Sequence, residues 1–233
     1  SLFARIPAAT VYLPPPAWWL PALCALAAAC VALRERLKLR PAGVFAVLLA
    51  PAVAYLCFTW PGAKPDVPTL HLLDVGRGNC VLVRFPDGRN LLYDAGGAQA
   101  DVGARVIAPA LWKLGVRRLD AVVLSHGDAD HVNGFADVAR RIPVGRIFLS
   151  PEFERFADAK AFHDEVLAGK PRLERLAAGD LIKGFGETEI EVLWPPRHLP
   201  ALPFEENELS LVLRIRTPDG SALLTGDFGG AAA

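Results

Sequence analysis

Seven consecutive residues, Ser125-His126-Gly127-Asp128-Ala129-Asp130-His131, bring two imidazoles and two carboxylates into one short segment. All four side chains bind divalent cations. Imidazole nitrogen with carboxylate oxygen suits zinc, and suits manganese or iron when oxygen dominates the ligand set. Gly127 and Ala129 keep the gaps between the ligating residues small. A metal held in this way, with positions left open, lowers the pKa of a water molecule towards about 7, so hydrolysis is the chemistry to expect. The competing explanation is local: Asp128 or Asp130 can cap a helix that begins near His131. Capping accounts for one Asp, not for two carboxylates and two imidazoles in this spacing.

A ligand loop needs rigid support, and the residues before it supply it. Leu119 to Leu124 is an almost continuous apolar run, the pattern of a strand buried on both faces, and the loop emerges from its end. Strands are also predicted at Thr69 to Val75, Cys80 to Phe85 and Asn90 to Tyr93, with Pro86-Asp87-Gly88-Arg89 as a hairpin connection. Val106, Ala110 and Leu114 share one face of a predicted helix over 102–114. A second helix is expected over 132–142, then a strand at Arg146 to Leu149 and a charged helical segment over 154–167. Strands follow at Thr188 to Leu193, Leu209 to Arg216 and Ala222 to Leu224. This order predicts a layered α/β domain from residue 65 to 233.

The first 64 residues belong to a different solvent. Val11 to Leu33 and Pro41 to Ala63 are each 23 residues without a charge, long enough for a bilayer core of about 30 Å, so two transmembrane helices are expected. Trp18, Trp19 and Trp60 stand where interfacial anchors would, and Pro51 predicts a kink. Four basic residues within Arg34 to Arg40 place the connecting loop in the cytoplasm, and hence residues after Lys64 on the periplasmic or exterior side. The absence of methionine and the start at Ser1 mark the chain as an expected fragment. With 25 basic and 25 acidic residues, no global field draws it to nucleic acid, and any DNA contact must be local. Arg140, Arg141, Arg146, Arg172 and Arg175 fit such a contact or a solvated face equally well. Four cysteines, three of them in the apolar stretches, suggest neither a disulfide framework nor a Cys-rich zinc site.

The loop resembles the H-x-[HD]-x-D-H signature of the metallo-β-lactamase superfamily, with aspartate at the second ligand position. Other segments are similar to the ComEC competence family. Leu73-Asp74-Val75-Gly76-Arg77-Gly78-Asn79 resembles its L-D-V-G-Q-G-D, Leu92-Tyr93-Asp94-Ala95-Gly96-Gly97 its L-I-D-A-G-G, and Val192-Leu193-Trp194-Pro195-Pro196 its V-L-W-P-P. Asn207 to Leu213 resembles N-x-x-S-L-V-L, and Leu223-Leu224-Thr225-Gly226-Asp227 resembles L-L-T-G-D. The resemblance covers residues 69 to 228 in order. It implies an αββα sandwich, truncated at its C-terminal side. It also implies that His126 and Asp128 bind one metal, that Asp130 and His131 bind a second, and that Asp227 bridges the two. Asp74 and Asp94 match motif positions near the site, or serve as acidic turn residues bonding backbone amides. Gly76, Gly78, Gly96 and Gly97 are read as relieving backbone crowding.

Two departures accompany the resemblance. Where hydrolases of the superfamily carry a histidine before the strand that ends in Gly-Asp, this chain offers Asn207, Glu208 and Ser210; His198 is read as a surface residue. The K-V-x-H-H-G-S segment that follows Gly-Asp in family members lies beyond Ala233. One or two ions are therefore expected, zinc first and manganese second. The resemblance implies a multi-pass protein of the bacterial inner membrane that works with DNA, the lipid bilayer and other uptake components. Its soluble domain would hydrolyse phosphodiesters of the strand that is not imported, with Asp130 orienting or deprotonating the attacking water. A metal-free module that binds DNA or braces a channel, and an anchored metallo-hydrolase of another substrate, are the alternatives.

Overall fold

The computed structural model describes residues 20–36, 38, 40–59, 64–153, 172–199 and 204–229, with the backbone alone over 56–59. Two compact units divide at Ala63 and Lys64, with Trp112–Gly115 counted in the first.

In the first unit, helix α1 runs Leu20–Ala32 and helix α2 runs Pro41–Thr59, and the two pack against each other. The first expected span, 11–33, is thus described as helix over 13 residues, about 20 Å. Pro51 does lie inside α2. Among the described residues, no helix is long and apolar enough to cross a membrane. Trp18, Trp19, Trp60 and the expected helix at 154–167 lie outside the described residues.

The second unit is built on two sheets. Strands β1 (Thr69–Leu72), β2 (Val81–Arg84), β3 (Asn90–Tyr93), β4 (Leu119–Val123), β5 (Val144–Leu149) and β6 (Arg172–Arg175) lie side by side in chain order. The first three are antiparallel and β3 to β6 run parallel. A smaller antiparallel sheet holds β7 (Glu189–Trp194), β8 (Val212–Thr217) and β9 (Gly220–Leu224).

Alternation along the strands decides what each face does. Val81, Tyr93, Val123 and Phe148 are cross-strand partners forming one row, and with Val83, Phe85, Leu91 and Ala121 they pack against Ile190, Val192, Leu213 and Ile215 of the smaller sheet. Each such large apolar side chain contributes about 1.5–3 kcal/mol on burial. The Tyr93 hydroxyl donates to the Leu211 carbonyl, so the two sheets are also hydrogen-bonded. The alternate row, Leu82, Leu92, Val122 and Ile147, is equally buried on the opposite face. That is where right-handed crossovers from β3 to β4 and from β4 to β5 place their helices.

These crossovers differ in detail from the expected helices. The first begins as a π-helical turn, Gly103–Ile107, before α3 (Ala108–Lys113); the second is split into α4 (Ala129–Val132) and α5 (Phe135–Ala139). The split falls at Gly134, where a Cβ would come 2.6 Å from the Ala95 carbonyl oxygen and 2.9 Å from the Gly103 nitrogen. Close packing of Gly134 against the Ala95 loop and the π-helical turn at Gly103, rather than helix propensity, sets the break. Beyond the smaller sheet the described residues form no covering helix. Its outer face carries a charged ladder, in which Arg214 pairs with Glu191, and Arg216 lies 3.0 Å from Glu189 and 3.4 Å from Glu191.

Candidate metal centre

The candidate ligands stand at the C-terminal ends of β3 and β4, joined there by the end of β9. Three loops meet at this edge, Val75–Cys80, Asp94–Ala98 and Ser125–His131, and backbone hydrogen bonds lace them together. Asn79 N–H donates to the Asp130 carbonyl (3.2 Å), Gly96 N–H to Asn79 (3.2 Å), Ala95 N–H to His131 (2.9 Å) and Gly134 N–H to Ala95 (2.8 Å). The Asn133 amide adds a two-way clasp on Gly97, donating to its carbonyl at 2.8 Å and accepting from its N–H at 3.1 Å. Approach this close requires glycine: a Cβ at Gly96 would sit 2.2–2.3 Å from Asp130 and His131 backbone, and one at Gly78 2.3 Å from the Asp130 oxygen. Gly226, at φ +55°, does the same for the last loop, since a Cβ there would fall 2.8 Å from Ser125.

At the centre of this lacing is Asp94, fully buried and with a left-handed backbone (φ 59°). Its carboxylate accepts from Ser125 N–H (2.7 Å), Ser125 Oγ (2.8 Å) and Asn79 Nδ2 (3.0 Å), and meets His131 Nδ1 at 2.9 Å. That last contact fixes the His131 ring so that Nε2 faces outward, 3.3 Å from Asp227 Oδ1. His126 is held in the same way by neutral groups: its Nδ1 lies 2.9 Å from Ser125 Oγ and 3.2 Å from Ser210 Oγ. Its Nε2 is buried and, among the described residues, has no hydrogen-bond partner. The two rings lie 4.1 Å apart, centre to centre.

The donor atoms of His126, His131 and Asp227 all fall within 4.8 Å of one another. Ligands about 2.0–2.2 Å from a common ion lie at most about 4.4 Å apart, so a small inward movement lets all three side chains share one ion. An orphaned buried imidazole nitrogen aimed at a second imidazole and a carboxylate is costly unless a cation satisfies it. These residues therefore fit a divalent ion. Asp128 joins from the side, its Oδ2 3.5 Å from His126 Nε2; it occupies the N-cap of α4, yet its side chain makes no capping bond. Asp130 stands apart from the three-residue group and pairs with the exposed Arg77 at 3.6 Å.

Electrostatics separate the two histidines. Burial, reinforced by neighbouring His131, holds the His126 imidazole below its ordinary range against the pull of Asp94, Asp128 and Asp227. Burial acts on His131 in the same direction, but the hydrogen bond and charge of Asp94, with Asp227 and Asp130, outweigh it and raise the value. His126 thus offers a neutral nitrogen, while an ion binding His131 competes with its Nε2 proton.

Several supporting residues escaped the sequence reading. Ser210 lies in the segment expected to offer a weak ligand, but its hydroxyl holds the Nδ1 edge of His126 rather than the open Nε2. Asn79, Ser125 and Asn133 are likewise positioning groups. The two acidic motif residues diverge: Asp74 is an exposed turn residue, accepting from Gly76 N–H at 3.4 Å, whereas Asp94 organises the centre. His198 is exposed.

Two packed sheets carry a His and Asp group that fits a divalent ion at one strand edge. Residues 73–233 match the metallo-beta-lactamase superfamily, and the chain belongs to that family. Its domain is of the ComEC type. Competence protein ComA of Neisseria gonorrhoeae is 43% identical over 134 residues, covering 56% of this chain and 18% of that protein. ComE operon protein 3 of Bacillus subtilis (strain 168) is 29% identical over 197 residues, covering 76% and 24%. The chain therefore spans less than a quarter of the length of these curated relatives. Among solved structures, a subclass B3 metallo-beta-lactamase from a soil metagenome library matches with a TM-score of 0.45 and 18% identity, covering 69% of this chain and 62% of that one.

Proposed function

We propose that the chain is part of a membrane DNA-uptake protein whose metallo-β-lactamase domain is a metal-dependent phosphodiesterase, acting on the strand that is not imported. The observation that carries the hydrolytic part is the orphaned His126 Nε2 converging with His131 Nε2 and Asp227. Similarity to proteins named for competence carries the substrate.

His126, His131 and Asp227 would hold the ion, with Asp128 beside His126; zinc suits this mixed imidazole and carboxylate set, and manganese is the alternative. When bound, such an ion neutralises charge on a phosphoryl oxygen and acidifies water. The chain's own residues do the rest. Asp94 and Ser210 keep the imidazoles in the tautomer that presents Nε2, so the ligands need little reorganisation. Asp130, part-exposed at the rim, orients or deprotonates the attacking water, and its exposed contact with Arg77 is weak enough to yield to substrate.

Purified protein supplied with zinc or manganese is expected to cleave single-stranded DNA and to stop on addition of EDTA. Asp130→Asn should lower the rate by about a hundredfold, the ordinary scale of general acid–base catalysis, without emptying the site of metal. Cleavage that persists in EDTA would overturn the assignment.

The uncharged runs 11–33 and 41–63 are proposed to lie in the inner membrane, with Arg34 to Arg40 cytoplasmic and the domain outside. A periplasm-dependent reporter fused after Lys64 should be active; activity only of a cytoplasm-dependent one would reverse the orientation.

A further inference from the structure

At the opposite end of the sandwich a second cleft gathers positive charge. It has a volume of about 410 Å³ and is lined by Arg89, Arg118, Arg146 and Lys183, with Asp120 as its one acidic wall. The cations come from separate segments: Arg89 precedes β3, Arg118 precedes β4, Arg146 lies near the start of β5, and Lys183 belongs to the loop before β7. The chain as a whole carries no net charge, so this concentration is local.

Two glycines make the convergence possible. A Cβ at Gly184 would lie 3.0 Å from Arg89 Nη1 and 3.7 Å from Arg146 Nη2, so both guanidinium groups border that residue. A Cβ at Gly145 would lie 3.3 Å from Arg118 Nη2 and 2.8 Å from the Asp120 carbonyl oxygen. Existing partners leave the charge only partly balanced. Arg118 meets Asp120 at 3.4 Å and Arg89 meets Asp87 at 3.7 Å, both through exposed arginines. One Asp120 oxygen is also engaged by Asn90 N–H at 2.9 Å. Arg146 donates to the Lys183 carbonyl at 2.8 Å and lies 5.0 Å over the Phe148 ring, with no ion pair among the described residues. Lys183 is exposed and has no ion-pair partner among the described residues.

Like charges brought together in a concave site favour an anion with several oxygens, and Arg exchanges a weak exposed carboxylate pair for a bidentate phosphate readily. We propose that this cleft contacts phosphate groups of a nucleic-acid strand outside the metal centre. The proposal rests on the reading of the chain as a DNA-handling protein. The two sites lie at opposite ends of β3 and β4. Strands of this length span roughly 15 Å, so a single strand touching both must be several nucleotides long. The cleft would thus position a strand, while cleavage happens elsewhere along it.

The test uses the full chain in detergent, with EDTA present, and a fluorescent oligothymidylate several times longer than that minimum. Arg89→Ala combined with Lys183→Ala is expected to weaken binding about tenfold at low salt. It should also reduce the slope of log affinity against log salt by about 1.4, or 0.7 for each phosphate that is no longer neutralised. Lys183→Glu alone, which leaves the backbone contact with Arg146 in place, should produce the same direction of change. With metal restored, hydrolysis of bis(p-nitrophenyl) phosphate should be unchanged in all variants, since that substrate is too small to reach the cleft. Unaltered oligonucleotide affinity and salt slope would overturn the proposal, as would failure of the unsubstituted protein to bind the oligonucleotide. A loss seen only with phosphatidylglycerol vesicles would reassign the cleft to lipid headgroups and overturn it too. Failure of the hydrolase reading is separable, because it would appear as absent bis(p-nitrophenyl) phosphate hydrolysis while the binding arms still report on the cleft.

Discussion

Replacing Asp94 with alanine is expected to lower the thermal midpoint of the domain by about 10 °C. The carboxylate is fully buried and engages four donors, Ser125 N–H, Ser125 Oγ, Asn79 Nδ2 and His131 Nδ1, at 2.7–3.0 Å. Removing it strands those groups in the interior, and breaking a buried pair by deleting one partner costs about 3–5 kcal/mol. For a chain of this size each kcal/mol corresponds to about 2–4 °C. The left-handed backbone at φ 59° adds to the cost, because alanine tolerates that region less well than aspartate or asparagine. Asp94→Asn keeps shape and backbone but loses one acceptor oxygen. It should therefore restore most of the stability while leaving metal affinity about 10–100-fold weaker, the scale found when an orienting partner of a ligating histidine is removed. Thermal melts with metal titrations on both variants separate folding from orientation. Equal metal affinity in Asp94→Asn and the unsubstituted protein would mean that Asp94 serves the fold alone.

The second large effect is on the ligands themselves. His131→Ala is expected to reduce phosphodiester hydrolysis by well over a hundredfold, more than any positioning variant, because it removes a donor atom and leaves Asp227 without the imidazole 3.3 Å away. His126→Ala should be comparable, since its Nε2 makes no hydrogen bond among the described residues and faces the other donors. Asp128→Ala should fall short of both. Its carboxylate approaches the centre from a part-exposed position at 3.5 Å from His126, and the remaining three donors still converge without it. Rates with bis(p-nitrophenyl) phosphate at saturating metal provide the comparison; an inactive Asp128→Ala beside an active His131→Ala would invert the assigned geometry.

Much of this centre could be read from the order of residues, and the part that could not has a definite physical reason. The apolar run at Leu119 to Leu124 announced a buried strand because neither face needed a polar alternation, and β4 is buried along most of its length. The hairpin of β2 and β3 followed from two short apolar runs about Pro86 to Arg89. By contrast β6, Arg172–Arg175, has no apolar period at all; it pairs at a sheet edge with Arg172 and Glu174 facing each other at 3.0 Å. No pattern rule detects such a strand. The break between α4 and α5 was equally hidden, because it comes from Gly134 packing on Ala95 and Gly103, residues remote in sequence.

The candidate ligands His126 and His131 were legible because they sit close together along the chain. Their supports were not: Asp94 reaches His131 across 37 residues, and Ser210 reaches His126 across 84. Motif resemblance marked Asp94 but left its role open between turn and site. The charged residues divided in the same way. Arg140 and Arg141 both turn to Asp137, and Arg172 to Glu174, as solvated faces do, whereas Arg146 enters the basic cleft with residues that no local pattern joins to it.

His126, His131 and Asp227 are proposed to hold a divalent ion, and elemental analysis of purified protein after dialysis against metal-free buffer counts that ion. The unsubstituted chain should retain about one zinc or manganese ion, the count that one set of three converging donors supports, and the His126→Ala, His131→Ala double variant should retain less than about a tenth of that. A metal-free unsubstituted protein, or a double variant holding as much metal as its parent, would contradict the account.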